Sequence, residues 1–304
     1  MVAADLDPQA NLTAAFVEQD RLEELWQDRF SGGSIYGCVQ PLVEAIGDIG
    51  DPHLEQIDDN LALVPGDLRL SNFEDQLSEV WPKCMNRDIR AFRVTSAFWR
   101  ILQRAATAQN ASLILTDLGP NLGAINRAAL IAADFVAVPL APDLFSVMGV
   151  QNLGPRLREW RQSWAEMLEK SPLTSVEMPP GGMMPIGFVL LQPPVRMDRP
   201  VQAYDRWIGR IQEAYERAVL DGFTDALPSI GNDPNCLALL RHYRSLMPLA
   251  QEAHKPIFHL KPADGAMGAH YQAVQRAYKD FRGLAVRIAE RTGLEMPSYA
   301  FPVS

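Results

Sequence analysis

The stretch Leu113-Ile114-Leu115-Thr116-Asp117-Leu118-Gly119-Pro120-Asn121-Leu122-Gly123 constrains the fold of this chain more than any other. Three aliphatic residues run into an acid, and the acid into a loop of Gly, Pro and Asn. A short apolar run of this kind predicts a strand buried on both faces. Asp117 then falls at the carboxyl end of that strand, where open α/β sheets place their ligands. An Asp there can hold Mg²⁺ against a nucleotide phosphate. Taken alone, an Asp at a strand end more often ends a turn or caps a helix.

A second acidic tip decides how much weight this carries. Met1 to Leu6 reads as a strand that runs into Asp5-Leu6-Asp7-Pro8-Gln9. Residues two apart on an extended segment point to the same side. Two carboxylates so placed raise each other's pKa unless a cation neutralises them. The plainer alternative is that Asp7-Pro8 ends the strand and Asn11 caps a helix over Leu12–Val17.

Composition narrows the class. The chain has 304 residues, 47% hydrophobic and 21% charged, which is ordinary globular usage with length for a large core. A net charge of −9 argues against coating DNA by general basicity, though a local basic patch is compatible with it. Cys38, Cys84 and Cys236 are odd in number and far apart, so buried thiols in a reduced compartment are expected, without a structural zinc. No run of 18 apolar residues and no signal peptide is present, so cytoplasm is the expected location and no membrane partner is expected.

Three motifs in order now carry a resemblance. Val2 to Thr13, reading Val-Ala-Ala-Asp-Leu-Asp-Pro-Gln-Ala-Asn-Leu-Thr, resembles the segment after the second strand of ParA/Soj-type ATPases, the deviant-Walker group that includes MinD. Leu113–Gly123 resembles that family's Walker B strand and loop. Ala133–Ser146, with its Pro139-Leu140-Ala141-Pro142-Asp143-Leu144-Phe145-Ser146 exit, resembles the next strand. Leu61–Asp67 resembles the family's strand followed by a Pro-Gly turn. The likeness is clear over roughly residues 1–150 and weaker beyond.

The resemblance implies an α/β fold: a mostly parallel twisted sheet flanked by helices, a P-loop NTPase-like three-layer sandwich. It also implies ATP and Mg²⁺ as cofactors. Asp7 would orient the attacking water, and Asp5 and Asp117 would hold Mg²⁺ through its water shell. Pro139, Asp143 and Gln192 would lie near the nucleotide, although Asp143 can equally be only the N-cap of a helix over Leu144–Leu168. The implied activity is an ATPase for plasmid or chromosome partitioning or cargo positioning. Its ATP-dependent homodimer would bind DNA without sequence preference, and a ParB-like partner would trigger hydrolysis.

One departure matters as much as the match. The family opens with a strand and a Lys-Gly-Gly-x-Gly-Lys-Ser/Thr loop, and no such loop occurs here. That loop supplies the N–H cradle and the phosphate lysines. The chain is therefore expected either to be short of one strand and loop at its start, and inactive in hydrolysis as it stands, or to be a nucleotide-independent interaction module. The missing strand is expected beside the one ending at Asp117. A reductase or metal-insertion relative is disfavoured, because no Cys-x-x-Cys is present and the Asp-Pro-Gln element points to the ParA branch.

The remaining sequence predicts one domain over 1–304, with insertions at 18–60 and 171–184. Helices are expected over Arg21–Arg29, Ser34–Ile46, Leu70–Val80, Asp88–Gln109 as one long helix, Ala124–Ala132, Leu144–Leu168, Val201–Val219, Cys236–Leu246 and Ala269–Arg291. Strands are expected at Pro185–Leu191 and Lys255–Leu260. Arg156, Arg158 and Arg161 with Trp160 and Trp164 read either as an interaction face or as an amphipathic helix. Arg196, Arg199, Arg206 and Arg210 form the candidate DNA-contact surface, the last two sharing a helix face.

Overall fold

The computed structural model describes residues 1–27, 32–173, 176–191, 201–223, 226–243 and 245–296, with 201–204 in backbone only. The strands are β1 (Val2–Asp5), β2 (Glu55–Asp58), β3 (Leu61–Val64), β4 (Ile114–Asp117), β5 (Phe135–Leu140), β6 (Met184–Leu191) and β7 (Cys236–Leu240). The helices are α1 (Asn11–Phe16), α2 (Gln19–Gln27), α3 (Ile35–Val43), α4 (Glu74–Val80), α5 (Ile89–Thr95), α6 (Ala97–Ala108), α7 (Ala124–Ile131), α8 (Leu144–Glu169), α9 (Val201–Ala214), α10 (Leu246–Glu252) and α11 (Ala269–Thr292). Two compact units result: residues 1–134 with 158–183, and residues 135–157 with 184–304.

The first unit holds a sheet in the order β2-β3-β1-β4. β1 pairs in parallel with both β3 and β4, and only the β2–β3 pair is antiparallel. Alternation along β1 splits its side chains between two layers. Ala3 joins Leu63, Val17, Leu22 and Leu25 on the side of α1 and α2. On the other side α6 packs on β1, burying Phe98, Ile101 and Ala105. β2, inside the stretch read as an insertion, was not expected from its sequence.

The second unit holds β5-β6-β7, all parallel. Phe188 and Leu190 of β6 face Ile208 and Ile211 of α9. Ile186 and Val189 face Phe281, Leu284 and Ile288 of α11. The two helices therefore cover opposite faces of one sheet. This mostly parallel α/β architecture is the expected fold class.

Four local readings are corrected. β4 is an edge strand, and Leu115 is 56% exposed rather than buried on both faces. The long helix over Asp88–Gln109 breaks at Ser96, whose hydroxyl donates to the Phe92 carbonyl at 2.7 Å, a local bond that competes with the helix. Cys236–Leu240 is strand β7, since a five-residue apolar run fits either state until a neighbour pairs with it. Lys255–Leu260 holds a 3₁₀ turn at Ile257–His259, whose Ile257 packs with Leu246 and Ala250 of α10 and Val274 of α11.

The tryptophans of α8 belong to the core. Trp164 is fully buried, stacks on Trp81 with ring centroids 6.0 Å apart, and donates its indole N–H to the Pro179 carbonyl at 2.9 Å. Arg161 donates to the carbonyls of Gly182 and Met183. These contacts give the amphipathic-helix reading its structural content.

Candidate functional site

β1 and β4 run side by side with Asp5 in register with Asp117, and Leu6 N–H donates to the Asp117 carbonyl at 3.0 Å. Parallel pairing therefore brings both strand tips, and the turn after β1, to one place. Asp5, Asp7 and Asp117 lie there together.

The three acids are not alike. Asp5 is fully buried. Its Oδ2 accepts the Thr13 N–H at 2.8 Å and the Thr13 hydroxyl at 2.6 Å, and its Oδ1 accepts the Asp7 N–H at 3.3 Å. Burial raises its pKa above the usual carboxylate value, against the pull of the Thr13 bonds and with a smaller push from Asp7. The Thr13 hydroxyl in turn accepts the Gly66 N–H at 2.7 Å, tying the loop after β3 into the same knot. Gly66 must be glycine here, since a Cβ would stand 2.7 Å from the Asp5 Cγ.

Asp7 is half-buried and accepts the Gln9 N–H at 3.0 Å, closing the turn into α1. The loop after β4 comes close to it: a Cβ on Gly119 would lie 3.0 Å from Asp7 Oδ1. Asp117 is exposed at the tip of β4. Desolvation, and then the charges of Asp5 and Asp7, push its pKa up to about 6. Like charges with no cation beside them among the described residues suit a hydrated metal ion brought from outside. They do not suit a free triphosphate, which they would repel. Among the described residues no group of three or more His, Cys, Asp or Glu is disposed to hold a metal ion directly.

The loop 118–123 is held by residues that sequence reasoning missed. Glu74 of α4 reaches the N-terminus of α7, its two oxygens accepting the N–H groups of Ala124 at 2.6 Å and Ile125 at 2.8 Å. A carboxylate there is favoured by the helix dipole. Asn126, 3% exposed, donates to the carbonyls of Gly119 and Asn121, both at 2.6 Å. No local pattern announces Glu74. The only trace of it is Gly123, whose Cβ would sit 2.6 Å from Glu74 Oε1.

The other expected site residues lie in the second unit or outside the described residues. Asp143 Oδ1 accepts the Ser146 N–H at 2.8 Å and Ser146 Oγ accepts the Ala141 N–H at 3.0 Å, a capping arrangement at the start of α8. Pro139 is an exposed residue of β5, an edge strand, where the missing N–H costs no ladder bond. Arg206 and Arg210 are exposed on α9, and Arg210 stacks over Trp207 at 4.6 Å. Gln192, Arg196 and Arg199 lie outside the described residues.

A sequence profile of the AAA domain family AAA_31 matches residues 1–170, more than half of the chain. The chain belongs to that family, in its ParA/MinD-type branch. This ParA/MinD-type protein is 24% identical to the sporulation initiation inhibitor protein Soj of Bacillus subtilis over 154 residues, covering 50% of the chain and 51% of Soj. The matched stretches span between 35% and 54% of the curated relatives' lengths. Among solved structures, protein DIP2308 from Corynebacterium diphtheriae aligns with a TM-score of 0.62 at 22% identity, covering 83% of this chain and 86% of that one. An McdA variant from Cyanothece in complex with ATP aligns with a TM-score of 0.55 at 14% identity, covering 98% and 86%. At such identities the likeness is one of fold. No helix among the described residues is long and apolar enough to cross a membrane.

Proposed function

We propose that this ParA/MinD-type chain is the switch portion of a partition ATPase, one that pairs as a homodimer around Mg-ATP, binds DNA without sequence preference and releases it when a ParB-like partner triggers hydrolysis. The observation that carries the reading is the shared tip of the parallel strands β1 and β4, where Asp5 and Asp117 gather with Asp7 of the turn after β1. Asp117 and Asp5 would hold Mg²⁺ through its water shell. Asp7, on the turn that Gly119 approaches, would hold the attacking water. Positioning and charge neutralisation carry most of the rate in such chemistry.

The phosphate cradle is the part this sequence does not contain. We infer that a strand and lysine-bearing loop must be added beside β4 before hydrolysis occurs. The unpaired edge of β4, with Leu115 exposed, supports that place for it. The test compares ATP turnover of chain 1–304 with that of a version preceded by a strand and a Lys-Gly-Gly-x-Gly-Lys-Thr loop. Turnover confined to the extended version is the expected result, and equal rates in both would overturn the proposal.

A second reading, a nucleotide-independent interaction module, is favoured by one observation. Asp5 is sealed from solvent and bonded through both oxygens, as a purely structural carboxylate would be. Calorimetric titration of chain 1–304 and of the extended version with Mg-ATP separates the two: heat in neither supports the module.

A further inference from the structure

We propose that Asn126 is a positioning residue for Asp7: it holds loop 118–123 so that Gly119 stays against the Asp7 carboxylate. The proposal rests on the partition-ATPase reading for what Asp7 does, and adds what sets its place.

Asp7 is held through one oxygen. Its Oδ1 accepts the Gln9 N–H at 3.0 Å, and Gly119 walls the same oxygen, since a Cβ there would lie 3.0 Å away. Among the described residues no hydrogen bond reaches Oδ2, the oxygen left for a water. The Asp7 side chain can therefore turn only as far as loop 118–123 allows.

One amide fixes that loop. Asn126 is the third residue of α7 and is 3% exposed. Its Nδ2 gives one hydrogen to the Gly119 carbonyl and the other to the Asn121 carbonyl, both at 2.6 Å. Asn121 closes the loop on itself, its Oδ1 accepting the Gly123 N–H at 2.9 Å. The carbonyl that Asn126 grips and the Cα that faces Asp7 belong to the same residue, Gly119. The hold thus reaches Asp7 through a single residue.

Neither capping nor packing accounts for an Asn here. A capping side chain accepts from the first N–H groups of a helix, and Glu74 already takes those of Ala124 and Ile125. A residue suited to packing alone would be apolar like its buried neighbours Ile125, Ala128, Ala129 and Leu130. Asn126 Oδ1 instead lies buried with no partner among the described residues, a desolvated acceptor that costs stability. Turning the amide over would bring that oxygen against two carbonyl oxygens, so the orientation is set by the loop. A local rule broken at such a place is one that the site, not the core, requires.

Arg127, the next residue, is directed away from the loop. It donates to the Leu77 carbonyl at 3.2 Å and lies over the Trp81 ring at 4.4 Å. It ties α7 to α4 and supplies the control for loosening α7 without releasing the loop.

The experiment has two readouts. In chain 1–304 labelled with ¹³C at the Asp carboxyls, N126A should move the Asp7 resonance by freeing the loop. G119A should move it by setting a methyl against Oδ1, and R127M should leave it in place. In the version extended by a strand and lysine-bearing loop, N126A should lower kcat at least about tenfold with the KM for ATP within about twofold, because a misplaced group costs turnover more than binding. R127M should keep both constants within about twofold of the extended parent. Circular dichroism confirms that each variant is folded, and if N126A does not fold, G119A carries the same two readings. An Asp7 resonance unmoved in the folded variants, or equal losses of kcat in N126A and R127M, would overturn the inference and leave the partition reading standing. An extended parent without turnover defeats the partition reading, and the Asp7 resonance then decides the inference by itself.

Discussion

The Asp5 carboxylate and the Thr13 hydroxyl meet at 2.6 Å inside the first unit, and through the same hydroxyl the loop after β3 is tied to the end of β1. Thr13 gives its proton to Asp5 and takes one from Gly66 N–H. A hydroxyl does both at once, and no apolar side chain of that size does either.

Thr13→Val keeps the shape and removes both bonds. It leaves a buried carboxylate short of a donor and a buried N–H without an acceptor, a loss of about 2–4 kcal/mol by the cost of unmade buried hydrogen bonds. Thr13→Ser should lose under about 1 kcal/mol, since it keeps the hydroxyl. Urea unfolding of the three proteins checks this, and equal midpoints for Val and Ser would show the knot to be unimportant.

Glu74 and Gly123 should be coupled. Glu74→Ala uncaps α7 and should cost about 1–2 kcal/mol, the range for lost helix caps. Gly123→Ala drives a methyl into Glu74 Oε1, so it should be destabilising in the parent. In the Glu74→Ala background that clash is gone and only the contact with Asn121 Oδ1 at 2.9 Å remains, so the second substitution should cost less than in the parent. A double-mutant cycle in urea reads the difference, and strict additivity would disprove the contact.

Asp117 gives stability a pH dependence of definite sign. Its pKa is raised in the folded protein to about 6 from 3.8, so the folded state holds the proton more tightly. Its contribution is complete below pH 4 and lost as pH rises through 6. Asp117→Asn should therefore be more stable than the parent at pH 7.5, by about 1 kcal/mol after allowing for solvent screening of an exposed group, and equal to it at pH 4. Mg²⁺, if it binds this tip, should lower the apparent pKa. Carboxyl chemical shifts followed from pH 3 to 8, with and without the ion, measure both effects.

Gly154→Ala tests the second unit. A Cβ there would lie 1.8 Å from the Ala218 carbonyl oxygen, in the wide turn Tyr215–Val219 that follows α9. Overpacking of this order costs about 1–3 kcal/mol or more. A thermal midpoint unchanged from the parent would mean that α8 does not pass so close to that turn.

Much of this was legible in the sequence, for a physical reason. Strand tips announce themselves locally, since an apolar run ending in an acid and a glycine turn is one contiguous signal. Asp5, Asp7 and Asp117 could be placed at one end of a parallel sheet that way. What stayed hidden was set by distant partners. Glu74 lies 49 residues before Gly123 in sequence, with nothing around it to mark it as a cap. Cys236–Leu240 became a strand because β6 offered it a ladder. Ser96 broke a helix whose flanking residues favour continuity. Leu115 read as buried because aliphatic composition records what a strand is suited to, whereas its exposure records which neighbours it has.

That bare flank of β4 has a consequence for handling the protein. An edge strand turns part of its backbone away from its ladder, and beside the exposed Leu115 such an edge is a template for any extended backbone within reach. In concentrated solution the most abundant such backbone belongs to another molecule of the same kind. Self-association through this flank should grow with concentration, and a lysine in place of Leu115 should suppress it in light scattering.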